Sequence, residues 1–212
     1  MRLTKQTLLE VFKRADNKQD ALDNPHEWAS TAVQIIKRKL SDHLIDGIQY
    51  EQNGEWYEMQ QLLGEEEIEL FSRYIAEPGI ESDKAIYDKI PCDSQTEKDF
   101  VRQLEAREDV KLYVKLPAWF TVPTPIGEYN PDWAVLLEED NGEEKLYFIA
   151  ETKGIEKMGQ QLTPSEIKDQ VRPDEWRKIR CGAAHFGSQQ LGKTGALDEV
   201  DYKVVSEAEE LP

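Results

Sequence analysis

The chain holds only two cysteines, Cys92 and Cys181, far apart and with no Cys-x-x-Cys pair. A disulfide framework is thereby excluded, and with His26, His43 and His185 equally scattered there is no ligand spacing for a structural zinc site. No run of about 20 apolar residues exists to span a bilayer. The opening Met1-Arg2-Leu3-Thr4-Lys5 lacks the apolar core of a signal peptide. The expectation is a cytoplasmic, reduced protein that engages no membrane. Basic residues are also short, since 26 Lys and Arg against 43 Asp and Glu leave a net charge of −17. That sign is wrong for an autonomous nucleic-acid binder, whose affinity comes from cations that neutralise phosphates. Internal repeats and low-complexity tracts are missing as well, which sets aside solenoids and disordered tails.

What is present divides into two parts, residues 1–90 and 91–212. In the first, Leu8, Leu9, Val11 and Phe12, then Trp28, Ala32, Val33, Ile35, Ile36, Leu40 and Leu44, recur at helical spacing. Asn24-Pro25 separates two helices, with Asn24 as cap and Pro25 as first residue of the second. Gly47 to Met59 around Asn53-Gly54 suggests a small hairpin, and Glu65-Glu66-Glu67-Ile68-Glu69 the charged first turn of another helix. Pro78-Gly79 to Pro91 is the expected boundary. The second part predicts an α/β fold with a mixed central sheet flanked by helices. Its elements are a helix over 96–107 with Phe100, Val101 and Leu104 inward, a strand over 110–116, a hairpin, a mostly helical stretch over 165–186, and a short last strand over 201–205.

The hairpin carries the chemistry. Two apolar runs, Trp133 to Leu137 and Leu146 to Ala150, flank Asn141-Gly142, which predicts a two-residue type I′ turn because Asn and Gly tolerate positive φ. If Asp140 and Glu143 pair across that turn, Asp132 falls opposite Glu151, with Cβ atoms roughly 4.5–5.5 Å apart. Lys153, two residues further on, projects the same way. Facing carboxylates repel, so a divalent cation between them is the natural relief. Mg²⁺ suits such a site, because it takes one or two carboxylates and keeps positions for water and phosphate. Lys153 would then orient or deprotonate the attacking water. The competing reading is a solvent-facing sheet edge kept soluble by Glu and Lys, and acid-x-Lys also occurs at Asp16, Asp109 and Asp201 with no hairpin around it.

Pro131-Asp132, a strand and Glu151-Thr152-Lys153 resemble the PD-(D/E)XK nuclease signature. The words around it, Val110 to Phe120, Thr124 to Trp133 and Ala150 to Gly154, resemble the carboxy-terminal nuclease domain of the restriction (Res) subunit of type III restriction-modification enzymes. So do Asp46 to Tyr50, Asp93-Ser94 with Glu97 and Phe100, and Lys178 to Cys181 with His185-Phe186. The resemblance runs from about Leu3 to Val205. It implies a restriction-endonuclease-like fold, metal-binding acids at Asp132 and Glu151, a catalytic lysine at Lys153, and Mg²⁺-dependent cleavage of double-stranded DNA. ATP would act only through a helicase motor outside this chain. A methyltransferase (Mod) subunit would be the partner that recognises DNA, and the domain would cut weakly or not at all without them. The superfamily often adds an acid from the first core helix, here Glu97, although Ser94-Gln95-Thr96-Glu97 also reads as a capping box.

Lys178 and His185 lie seven residues apart on one helix and could point together at the metal; alternatively that helix packs Trp176, Ile179 and Phe186 while its basic groups stay wet. Lys115, Tyr129 and Asn130 could touch a phosphate or serve the sheet edge and turn. Lys153, Lys157, Lys168, Arg172, Arg177, Lys178 and Arg180 concentrate positive charge after the catalytic strand. Screening beyond about 8 Å lets such a local patch act within an acidic chain. Gly187-Ser188-Gln189-Gln190-Leu191-Gly192-Lys193-Thr194 satisfies the P-loop expression, but a P-loop needs a strand entering and a helix leaving, and a helix enters here. Two function classes remain: a Mg²⁺-dependent DNA endonuclease domain, and a non-catalytic module that keeps the nuclease fold and docks a motor or methyltransferase.

Overall fold

The computed structural model describes residues 4–16, 18–48, 50, 79–86, 89–151, 162–195 and 198–212, with Ala150 and Glu151 described through their backbone. The chain divides into two units, Met1–Asp46 and Gly47–Pro212.

The first unit is helical, with α1 (Lys5–Arg14), α2 (Lys18–Asp23) and α3 (Pro25–Asp46). Thr4 caps α1 by accepting the Thr7 N–H on its hydroxyl at 3.2 Å. The Asn24 side chain accepts the Glu27 N–H at 3.3 Å ahead of Pro25, as Asn before a helix-opening proline leads one to expect. Phe12 meets Trp28 edge to face, centroids 5.6 Å apart. Leu9, Leu22 and Leu44 remain exposed. The hairpin expected at Asn53-Gly54 and the helix expected from Glu65 lie outside the described residues.

In the second unit β1 (Ile80–Glu81) and β2 (Lys89–Ile90) form a small hairpin, and α4 (Gln95–Ala106) leads into β3 (Val110–Lys115). A second small hairpin, β4 (Val122–Thr124) and β5 (Gly127–Tyr129), precedes β6 (Trp133–Glu138) and β7 (Glu144–Glu151). Then follow α5 (Pro164–Gln170), α6 (Pro173–Phe186) and β8 (Val200–Val205). The expected continuous helix over 165–186 is two helices, because Pro173 lacks an amide hydrogen and holds Arg172 extended before it. The central sheet has the order β3-β6-β7-β8. Its first three strands are antiparallel and β8 runs parallel to β7, so the sheet is mixed.

Side chains alternate across this sheet and bury both faces. Trp133, Val135 and Leu137 of β6 share one face with Tyr147 and Ile149 of β7, and Phe100, Val101 and Leu104 of α4 close over them. Phe100 packs on Trp133 with centroids 5.5 Å apart. The opposite face carries Phe148, Tyr202 and Val204 under Ile167 of α5 and Ile179 and Ala183 of α6. The result is a three-layer helix/sheet/helix unit, which needs apolar residues at both parities of the inner strands.

The turn between β6 and β7 departs from the expected type I′. Asn141 does not adopt positive φ, whereas Gly142 does, at 79°. The Gly142 N–H donates to Glu139 O at 2.8 Å, and Glu139 N–H to Glu143 O at 2.8 Å. This is a three-residue loop closed by a left-handed glycine, the arrangement of a type I turn with a G1 bulge, and the ladder pairs Glu138 with Glu144 and Trp133 with Ile149. Only glycine carries the positive φ here, which spares Asn141 that strain. The one-residue change sends Tyr147 and Ile149, rather than Leu146 and Phe148, to the α4 side.

Close packing makes Gly182 a sensitive point. A Cβ there would stand 2.6 Å from a Tyr129 ring carbon and 2.8 Å from one of Tyr202. Both rings are buried and their hydroxyls are hydrogen-bonded to each other. Gly182→Ala is therefore expected to destabilise the second unit by about 1–3 kcal/mol, the usual cost of overpacking. Urea unfolding checks this, and an unchanged midpoint contradicts it.

Candidate active site

The strand directions decide which residues meet. β6 starts where its antiparallel neighbours β3 and β7 end, and β8 ends beside β7, with Glu151 paired to Val205. One end of the sheet therefore gathers Lys115, Asp132 and Glu151, from three adjacent strands. The backbone of Asp132 is pinned on both sides: Leu116 N–H donates to its carbonyl at 2.9 Å, and its own N–H donates to Ile149 O at 2.9 Å. Because Ile149 is also the ladder partner of Trp133, two successive residues address one, as in a β-bulge, which re-aims the side chains beside it. Asp132 is exposed there, between buried Pro131 and Trp133.

Direct pairing of Asp132 with Glu151 is thus not what the register gives. Glu151 lies two residues beyond Ile149, at the same sheet end and on the neighbouring strand. The cause is the longer loop at Gly142, which slides β7 by one. Lys153 and Lys157 lie outside the described residues.

The amino-terminal end of α4 supplies the rest of this corner. Ser94 caps the helix by accepting the Glu97 N–H at 3.2 Å. Glu97 reaches back, but to the Asp93 N–H at 2.7 Å rather than to Ser94. The capping role expected as the alternative for Glu97 is therefore real, in a variant one residue wider than the usual box. It does not use up the carboxylate. Lys115, on the Trp133 side of the sheet, donates to Glu97 at 2.9 Å, to Asp93 at 3.0 Å and to Pro91 O at 3.2 Å. Its ammonium also stands 5.9 Å from the Trp133 ring centroid. Burial pushes the Lys115 ammonium down, yet the two carboxylates outweigh burial and its net value lies above the ordinary lysine range.

Lys115 was weighed for a phosphate or the sheet edge and Asp93 only as part of the resemblance; their pairing at this corner is what sequence reasoning did not foresee. A lysine at an inward-facing position of the alternating Val110-Lys111-Leu112-Tyr113-Val114-Lys115 run was the available signal. Of the other two residues weighed with Lys115, Asn130 donates to Pro117 O at 3.0 Å and Phe120 O at 2.6 Å, a turn role. Tyr129 is buried against Tyr202.

A family model described as an endonuclease domain matches residues 83–208. The chain belongs to this endonuclease domain family. Neither the curated proteins nor the solved structures contain a match to it. Membership makes endonucleolytic cleavage the reaction and DNA the substrate, with the acidic sheet end inside the matched stretch.

The remaining candidates of the endonuclease domain lie on α6 and around it. Lys178 is exposed. His185, at the far end of the helix, packs edge-on against Tyr50 at 4.5 Å and Phe186 at 4.6 Å. Its Nδ1 is buried with no hydrogen-bond partner among the described residues. The basic stretch is thinner than its sequence implies, since Arg177 is buried against Asp174 at 2.6 Å and Arg172 faces Glu175 at 3.7 Å. The Gly187 to Thr194 loop joins α6 to β8, helix before strand, the reverse of a P-loop. Its Ser188 and Lys193 bridge each other through paired backbone bonds. A cavity of about 410 Å³ opens beside this loop, at the opposite sheet end from Asp132, lined by Lys145, Lys193, Asp198 and Asp201. Among the described residues no helix is long and apolar enough to cross a membrane.

Burial holds the His185 imidazole below its ordinary value of 6.5. The unfolded chain thus takes up this proton first as pH falls. The contribution of neutral His185 is present above pH 6.5 and is lost as pH drops through the lower folded value. His185→Phe should unfold with a shallower loss of stability than the parent between about pH 7 and pH 5. Parallel profiles in urea titrations at those pH values contradict this.

Proposed function

We propose that this chain is the nuclease domain of a type III restriction enzyme and hydrolyses phosphodiester bonds of double-stranded DNA with Mg²⁺. The observation that carries the reading is the meeting of Asp132 and Glu151 at one end of adjacent antiparallel strands, inside the stretch that matches the endonuclease model. The donor chemistry of that end fits a hard cation. The residue types that the strand ends bring there, Asp132 and Glu151, are oxygen donors, whereas Cys181 and His185 belong to α6.

In this reading Asp132 and Glu151 hold Mg²⁺. When bound, the ion supplies Lewis-acid polarisation of the scissile phosphate and offsets the charge of the two acids. Asp132 is suited to this because its backbone is tied to both neighbouring strands, so its carboxylate starts from a fixed point. Lys153 takes or orients the proton of the attacking water and balances charge that builds on the phosphate. Glu97, held by Lys115, is the additional acid.

A net charge of −17 fits a domain that is handed its DNA rather than finding it. We assign that delivery to a helicase motor and a methyltransferase subunit. Residues 1–90 are the segment that docks the motor, a role to which exposed Leu9, Leu22 and Leu44 on the first helical unit are suited.

Cleavage of supercoiled plasmid by the enzyme reconstituted with motor and methyltransferase tests the assignment. Asp132→Ala, Glu151→Ala and Lys153→Ala should each lower cutting by about 10²–10³-fold or more, the scale of losing a group that acts in the transition state. ATP hydrolysis should stay unchanged. Undiminished cutting by any of the three removes that residue from the mechanism, and undiminished cutting by all three leaves the non-catalytic docking module.

A further inference from the structure

We infer that the loop at residues 187–190 is an edge cover that keeps β8 from pairing with a second copy of this chain, and that Gln190 is its latch. The inference is independent of the proposed Mg²⁺ site. It gives a role to the loop whose sequence imitates a P-loop.

β8 is an outer strand of the central sheet, with β7 on its inner side. It is buried on both faces: Tyr202 and Val204 belong to the core beneath α5 and α6, and Val205 to the core beneath α4. An apolar edge strand with open backbone groups is a template for another strand. Here those groups are taken. The Tyr202 N–H donates to Gly187 O at 2.9 Å, and the Tyr202 carbonyl accepts from the Ser188 hydroxyl at 2.7 Å. The Val204 N–H donates to Gln190 Oε1 at 2.8 Å, and the Val204 carbonyl accepts from Gln190 Nε2 at 3.0 Å. The Gln190 amide thus stands in for one peptide unit of a neighbouring strand. Asp201, itself buried, fastens the loop by accepting the Gln189 N–H at 3.0 Å. At the opposite edge of the sheet the cover is backbone, since the Tyr113 N–H donates to Lys84 O at 3.1 Å beside a bridge to Ala85. At β8 three of the four bonds come from side chains, so single substitutions can remove them. The occupant that the cover excludes is a second β8. In an antiparallel pairing centred on Tyr202, Asp201 of each copy falls opposite Lys203 of the other, and opposite charges across strands favour that register. Such a contact is two-fold symmetric and closes as a dimer.

The test is light scattering on the full chain over a concentration series, paired with hydrogen exchange at the Val204 amide. Gln190→Met keeps the length of the side chain and removes its amide. Ser188→Ala removes one bond of the cover and leaves the Gln190 contact with Leu162 O in place. Gln190→Met should self-associate at least about tenfold more tightly than the parent, the factor set by losing two hydrogen bonds that compete with the incoming strand. Ser188→Ala should do so by a smaller factor. In dilute Gln190→Met the Val204 amide should exchange faster than in the parent, and slow again as the dimer forms. Gln189→Ala, which alters the loop and keeps its backbone bond to Asp201, should behave like the parent. Variants at Gln190 and Ser188 that associate no more than the parent overturn the inference, because the uncovered edge is then harmless. Association that leaves the Val204 amide in fast exchange overturns it too, since the contact then lies elsewhere. Loss of the folded circular dichroism spectrum in both variants also overturns it, because the loop is then part of the fold rather than a cover over it.

Discussion

The arrangement depends on the backbone ladder between β6 and β7. Its register sets Trp133 against Ile149, and everything at the acidic end follows from that pairing. Trp133, fully buried beneath Phe100, anchors the strand; losing such a ring costs roughly 3–5 kcal/mol. The residue before it is thereby forced out of the ladder and into the open, with its amide on Ile149 and its carbonyl taken by Leu116. A tightly packed tryptophan and an exposed aspartate are thus two sides of one constraint. The core sets where the strand stops, and where it stops leaves Asp132 exposed.

The same constraint organises charge. The chain is strongly acidic overall, and Asp93 and Glu97 at the start of α4 stand against Lys115 at the end of β3. Such a cluster is held in place by what surrounds it. Ser94 and the Asp93 amide fix Glu97 at the helix start, where the helix dipole also favours a negative charge. Lys115 then bridges helix and sheet. The three-layer packing and the polar corner are therefore coupled, because Glu97 lies one turn before Phe100 on the inward face of α4. Moving that helix would disturb the core and the carboxylates together.

Much of this was legible in the residues. The spacing of Phe100, Val101 and Leu104 marked the helix and its buried face, Asn24-Pro25 marked the start of α3, and Asp201 to Val205 marked the last strand. The mixed sheet followed from their order. The register did not. Asn-Gly suits a two-residue loop or a longer one closed by glycine, and only the difference in φ at Asn141 separates them. Hydrophobic pattern could not arbitrate, since β7 is apolar at both parities: Tyr147 and Ile149 face α4 while Leu146 and Phe148 face away. A strand buried on both sides leaves a one-residue slip unmarked in sequence. The pairing of Lys115 with Glu97 escaped notice for a different reason. Its partners come from the start of a helix distant in sequence, and lysine in a strand is ordinarily a solubility device.

In the proposed function one sheet end, built from β3, β6 and β7, presents Asp132 and Glu151 to a common hard cation. Crystals of the chain soaked in Mn²⁺, which takes the same oxygen ligands as Mg²⁺ and scatters anomalously, test this directly. An anomalous peak within ligand distance of both carboxylates is the expected result. A peak confined to the Asp198 and Asp201 cavity at the other end of the sheet, or none beside Asp132, would contradict it.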